Sequence, residues 1–193
     1  MPYSLIRQRY SDVPGRGRVL GENVYLDKIP QDSKIFVFYF PHESLSYSEL
    51  EIKLRKYGKE SENGIFVNMG KIGSSTYFKM VEDFEIVSLP VIIVTGVQEV
   101  AVIETNEGEK TVYAKIDNKT LLNSPNKTME TIAEIVNLFI LKKFSLIPQR
   151  VRGAERKALL LKIKDQIFEV FRNIKEISFG LTDGVLTLKF NGE

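Results

Sequence analysis

The sequence of 193 residues has no cysteine and only one histidine, His42. Each absence removes chemistry. Without cysteine there is no disulfide, no thiolate nucleophile and no cysteine-ligated zinc or iron–sulfur site. A single histidine removes every multi-histidine metal site, and a Ser-His-acid triad would have only His42 to draw on. Long apolar runs are missing too. None approaches the roughly 18 residues that a transmembrane helix requires. The stretch from Met1 to Gly17 holds no apolar core segment of the kind a secretory signal carries. The expectation is a cytoplasmic protein with no membrane partner, no cofactor and no metal. Glu82, Asp83 and Glu85 lie close in sequence but show no spacing diagnostic of a cation site.

What is present is ordinary for a globular chain, with 43% hydrophobic and 27% charged residues. The charge is unevenly spread. The net charge is +3 from Met1 to Leu20, −6 from Gly21 to Leu141 and +7 from Lys142 to Lys175, within an overall +2. Solvated helix faces and a basic linker account for such a split. An anion- or nucleic-acid-binding surface is the sharper alternative, built on Arg7, Arg9, Arg16 and Arg18 at one end and Arg150, Arg152, Arg156 and Lys157 at the other. The basic segment lacks interleaved aromatics and a groove-reading motif, so nucleic-acid binding is expected to be weak. Gly15-Arg16-Gly17-Arg18 opens no helix and carries no Gly-Lys-Ser/Thr, so it reads as a loop. A cysteine-free composition rich in lysine and glutamate suits a thermophile.

The apolar pattern predicts the elements. IFVFYF (Ile35–Phe40) is apolar without alternation, as in a strand buried on both faces. Pro41 ends it, and Ser44 or Ser46 can cap a helix with Glu49 at capping-box spacing from Ser46. Leu45, Leu50, Leu54 and Tyr57 form the stripe of that helix, with Gly58 as its C-cap. GIFVNMG (Gly64–Gly70) is a second buried strand, followed by a short helix from Ser74 or Ser75 through Phe78, Met80, Val81 and Phe84. VSLPVIIV (Val87–Val94) is a third strand with Pro90 at its entrance, a place that suits a cis bond. VQEVAVIE and KTVYAKI read as an antiparallel pair joined around Asn106–Glu109, and a helix is predicted from Thr128 to Phe144. In the N-terminal extension, Val24, Leu26 and Ile29 hint at one edge strand. Beyond Pro148, an amphipathic helix from Ala158 to Lys175 precedes a hairpin turning at Asp183-Gly184.

In this order of elements, Lys34 to about Phe144 resembles the thioredoxin fold: the IFVFYF strand, the turn and helix from Pro41 to Tyr57, the Leu89-Pro90-Val91 segment, then a closing hairpin and helix. The expected fold is therefore an α/β thioredoxin-like sandwich, a mixed sheet flanked by helices, with a C-terminal helix plus β-hairpin extension. Three segments follow: 1–33 as an N-terminal extension, 34–145 as the thioredoxin-like domain, and 146–193 as a basic connector, helix and hairpin. Where the family keeps its Cys-x-x-Cys, this sequence has Ser44-Leu45-Ser46-Tyr47, preceded by His42-Glu43.

The resemblance implies a surface that grips extended peptides, here at Pro41, His42, Ser44 and Pro90. The functional expectation is thus a redox-inactive, protein-binding module with an unidentified protein partner. Two alternatives stand beside it: a nucleic-acid-associated protein using the basic ends, and an enzyme with non-redox chemistry at His42 and Ser44. The C-terminal extension is too small to fold alone, so it packs on the body of the chain or forms a homodimer seam. Thiol–disulfide exchange requires a thiolate to attack and a thiol to resolve, and serine supplies neither. Insulin reduction by a dithiol donor should accordingly run at the buffer rate in the presence of this protein, and any excess rate would overturn the argument.

Overall fold

In a computed structural model of the chain, the described residues are 9–10, 19–21, 35–42, 49–61, 64–71, 74–96, 98–105, 107–140, 156–171, 174 and 176–183. Two short strands, β1 (Arg9–Tyr10) and β2 (Val19–Gly21), precede β3 (Ile35–Phe40). All six residues of β3 are buried, which accounts for its unalternating sequence. Helix α1 (Glu49–Glu60) returns to β4 (Gly64–Asn68), which leads through a 3-10 turn (Met69–Lys71) into α2 (Ser74–Asp83). Strand β5 (Val91–Gly96) follows, then one helical turn, α3 (Gln98–Ala101), and the hairpin β6 (Val102–Thr105) and β7 (Gly108–Ile116). The chain continues through α4 (Lys119–Leu122) and α5 (Pro125–Ile140), then α6 (Arg156–Val170) and β8 (Ser178–Thr182).

The protein is mixed α/β, built on one eight-stranded sheet in the order β1-β2-β4-β3-β5-β7-β6, with β8 also on β7. The strands β2, β4 and β3 run parallel to one another, and β5 pairs antiparallel to β3 and to β7. Thr111 of β7 is in register with both Val102 of β6 and Thr182 of β8, so these two strands flank β7 on opposite edges. Ala114 lies likewise between Val94 of β5 and Phe179 of β8. Thus β5 and β6 share one edge of β7, and β8 occupies the other. One sheet therefore takes strands from all three sequence segments.

Two apolar layers cover the sheet. On one face, Ile35, Val37 and Tyr39 of β3 join Leu50 and Leu54 of α1, Ile132, Ile135 and Phe139 of α5, and Leu159, Ile163 and Ile167 of α6. On the other, Phe36, Phe38 and Phe40 join Ile65 and Val67 of β4, Met80 and Phe84 of α2, and Tyr113 of β7. The described part of the C-terminal stripe is thus buried against the body of its own chain. Alternate residues of β3 face opposite layers, as a period-two strand requires.

Several boundaries depart from the sequence reading. The VQEVAVIE segment is a helical turn for its first part, because the chain must step along the edge of β7 from β5 to β6. Gly58 is not a C-cap. It lies buried inside α1, lacks a positive φ, and Ser61 N–H still donates to the Tyr57 carbonyl at 2.9 Å. Helix α5 starts three residues early, at Pro125, where a proline costs no hydrogen bond. Strand β5 begins only at Val91, after the proline, and the C-terminal helix runs from Arg156 to Val170 rather than from Ala158. The extension before residue 34, read as having one edge strand at most, contributes β1 and β2. The strand hint at Val24, Leu26 and Ile29, the cap at Ser44 or Ser46, and the hairpin turn at Gly184 lie outside the described residues. In the β6–β7 hairpin, Gly108 adopts φ 105°, a backbone that side chains disfavour.

The apolar seam of α6 ties the C-terminal segment to the common core. Ile163→Ala should therefore lower the stability of the whole chain by about 2–4 kcal/mol. Denaturant unfolding should remain a single transition shifted to lower midpoint, followed on the β3–β5 sheet. A first transition confined to the C-terminal segment would contradict the shared core.

Candidate functional site: a groove at the end of the β3–β5 ladder

The β3–β5 ladder runs from Ile35 opposite Gly96 to Phe40 opposite Val91. One step further, Pro41 would face Pro90. Neither residue has an N–H, so pairing cannot continue and the two chains part there. The Leu89–Pro90 bond is cis, the geometry that a proline at this strand entrance suggests. Pro41 is braced from behind by the close approach of Gly70, where a Cβ would lie 2.9 Å from the proline ring. Gly70 is positioned in turn through its N–H, which donates to Asn68 Oδ1 at 2.9 Å. Asn68 Nδ2 donates to Glu51 Oε1 at 2.9 Å, and Arg55 reaches the same oxygen at 2.9 Å. Glu51 is only 4% exposed, so this carboxylate is anchored by charge-assisted bonds inside α1 and the end of β4.

The other wall begins where α2 ends. Glu85 N–H donates to the Glu82 carbonyl and Ile86 N–H to the Val81 carbonyl, the two bonds of a Schellman motif. Its left-handed position, usually glycine, is Glu85 with φ 52°. Such a conformation costs a residue with a side chain about 1–2 kcal/mol. Compensation comes from neighbouring side chains. Lys115 Nζ donates to the Glu85 carbonyl at 2.7 Å, and Arg156 lies 3.9 Å from its carboxylate. Further along, Lys119 Nζ donates to the Leu89 carbonyl at 2.7 Å. Burial pushes the Lys115 ammonium below its usual range, with Asp117 and Glu85 opposing that shift.

Between these walls lies an open groove of about 490 Å3, lined by His42, Tyr77, Phe78, Val81, Ile86, Val87, Ser88 and Leu89. Its floor is apolar, since Tyr77, Val81, Ile86 and Leu89 rest on the Phe36–Phe84 layer. Its rim is apolar as well. Phe78 is 65% exposed and Val87 91% exposed, both large hydrophobic side chains left in water. The Tyr77 and Phe78 rings meet edge-on, with centroids 5.4 Å apart, and Tyr77 also packs on Phe40. Among the described residues, the peptide N–H and C=O groups of Val87 and Ser88 have no hydrogen-bond partner. The site therefore offers apolar side chains and two consecutive peptide units with unused main-chain groups. Those are the elements by which a protein takes on an added strand.

Of the residues singled out in the sequence, His42 lines this groove with Leu89, next to Pro90, and Pro41 stands at its edge. Ser44, Arg150 and Arg152 lie outside the described residues. Lys157 is exposed at the start of α6. Arg156 is engaged: it donates to Asp183 at 3.4 Å and to the Leu181 carbonyl, besides its approach to Glu85. Sequence reasoning missed Phe78, Val87 and Ser88. Phe78 stood in the apolar stripe of α2, and Val87 in the run taken as strand, so both were read as interior. Among the described residues, no cluster of acids or histidine that could hold a metal ion is present, and no helix is long and apolar enough to cross a membrane. Compared with protein-family models, curated proteins and solved structures, the chain matches none.

The strained Glu85 gives a direct test of this loop. Glu85→Gly relieves the backbone and forfeits only a partly exposed ion pair, which is worth about 1 kcal/mol or less. It should leave the melting temperature unchanged or raise it, whereas Glu85→Val should lower it by several degrees, about 2–4 °C per kcal/mol in a chain of this size. The reverse order in thermal melts would refute the left-handed geometry at this position.

Proposed function

We propose that the chain is a thioredoxin-like protein without redox chemistry that works by binding an extended segment of a partner protein in the groove beside Pro90. The thioredoxin-like assignment is supported by the strand order β2-β4-β3-β5-β7, parallel for three strands and antiparallel for the next two, with α1 and α5 on one face and α2 on the other. The chain's lack of cysteine leaves no redox couple at the turn after β3.

One observation carries the binding reading: Val87, 91% exposed, belongs to the Ile86–Leu89 side of a groove also lined by Phe78 and Val81, and its main-chain groups have no partner among the described residues. An extended partner would pair its backbone with Val87 and Ser88 and set alternate apolar side chains against Phe78 and Val81. Burying one such side chain contributes about 1.5–3 kcal/mol. Of the residues named for the basic ends, Arg156 is committed to contacts within the chain.

Selection from a random displayed peptide library, followed by fluorescence anisotropy on synthesised winners, tests the reading. The winners should alternate apolar residues, and Phe78→Asp or Val87→Asp should weaken them by at least about tenfold, or 1.4 kcal/mol. Methylating the peptide nitrogen that faces Ser88 should abolish binding. Winners that bind the Phe78 and Val87 variants undiminished would move the site elsewhere and end this proposal.

A further inference from the structure

The wall of the groove is held from a distance. Tyr113 of β7 is buried, and its hydroxyl donates to the Phe84 carbonyl at 3.1 Å, at the start of the segment that forms the wall. The two rings pack edge to face with centroids 4.9 Å apart. Burial, reinforced by the Glu85 carboxylate and opposed by Arg156, holds the phenol well above its ordinary range, so it stays a donor at every ordinary pH.

Tyr113 can lie there only because its register partner on β8 is Gly180. A Cβ on Gly180 would collide with Tyr113 Cζ and with its hydroxyl oxygen. From the same C-terminal segment, Arg156 at the head of α6 reaches three anchors: Asp183, the Leu181 carbonyl and the Glu85 carboxylate. The extension therefore touches the groove wall twice, once through Tyr113 and once through Glu85, although none of its described residues lines the groove.

We propose that the C-terminal α6–β8 unit is the positioning element of the groove: Gly180 seats the Tyr113 ring so that its hydroxyl holds Phe84, while Arg156 steadies Glu85. In the proposed function, on which the biological meaning of this linkage rests, any factor that displaced β8 or α6 would loosen the wall before it touched the binding surface. Tyr113, Gly180 and Arg156 are then positioning residues, acting through Phe84 and Glu85.

Amide hydrogen exchange in the full-length protein tests this without a ligand. The N–H groups of Phe84, Glu85 and Ile86 are hydrogen-bonded within the Schellman turn and report its opening. Tyr113→Phe removes one bond and keeps the ring, so these amides should exchange about three- to tenfold faster while Ile65–Val67 of β4 keep the wild-type rate. Gly180→Ala should raise the same amides. Added to Tyr113→Phe it should raise them further, because the new Cβ still meets the ring that phenylalanine keeps against Phe84. Should Gly180→Ala fail to fold, Arg156→Gln takes its place, with a smaller rise at Glu85 that Arg156→Lys partly restores. Unchanged exchange at Phe84–Ile86 in Tyr113→Phe would overturn the proposal, as would a uniform rise that includes β4. Because no ligand enters the readout, a groove that bound no peptide would fail the functional reading and leave this result as it stands.

Discussion

Everything in this fold answers to the burial of β3 on both faces. Six consecutive apolar side chains, Ile35 to Phe40, cannot be covered by a single layer, because successive residues point to opposite sides. The chain must supply helices to each face: α1, α5 and α6 to one and α2 to the other. It must also supply neighbours on each edge, and it does so with a parallel partner, β4, and an antiparallel one, β5. The change of direction at β5 brings the start of that strand next to the end of β3. The site arises from that juxtaposition, since two prolines meet where the ladder would otherwise continue.

The groove is thus a place where pairing has been stopped on purpose by residue type. Beyond Phe40 and Val91, neither Pro41 nor Pro90 can donate, and the approach to β5 bends through Ser88–Pro90, leaving the peptide groups of Val87 and Ser88 without a partner among the described residues. Exposed peptide groups beside apolar side chains are costly to keep ordered. The protein meets that cost with cations on neighbouring elements: Lys115 on Glu85 and Lys119 on Leu89, each fastened to a carbonyl. A left-handed glutamate at the head of the segment, rather than glycine, places a carboxylate where Arg156 can reach it. The Glu51–Asn68–Gly70 chain of hydrogen bonds supports the opposite lip in the same manner. The groove's shape is therefore set by side chains from seven separate elements, β3, β4, α1, α2, β7, α4 and α6.

The C-terminal segment belongs to this arrangement as much as to the core. Its strand extends the sheet at the free edge of β7, and its helix adds to the apolar layer that also holds α1 and α5. The same placement puts Gly180 against Tyr113 and Arg156 within reach of Glu85. A segment that reads in isolation as a basic appendage is in contact with the back of the groove wall.

Composition and local pattern by themselves determined the chemistry that is absent and the skeleton that is present. A chain without cysteine has no thiol couple, whatever its fold. Unbroken apolar runs such as IFVFYF and IFV, and proline at the gate of β5, are local signals whose physics needs no distant partner. The helical turn at Gln98–Ala101 was hidden because four residues, Gln-Glu-Val-Ala, are too few to show a helical period. Phe78 and Val87 could not be told from core residues, because hydrophobicity in sequence does not say which side of a layer remains uncovered. Nothing in the sequence around Gly180 points to Tyr113, which meets it only once β8 pairs with β7. Exposure, long-range register and the meeting of Arg156 with Glu85 are properties of the packed chain, and only the tertiary structure, which sets distant residues side by side, decided them.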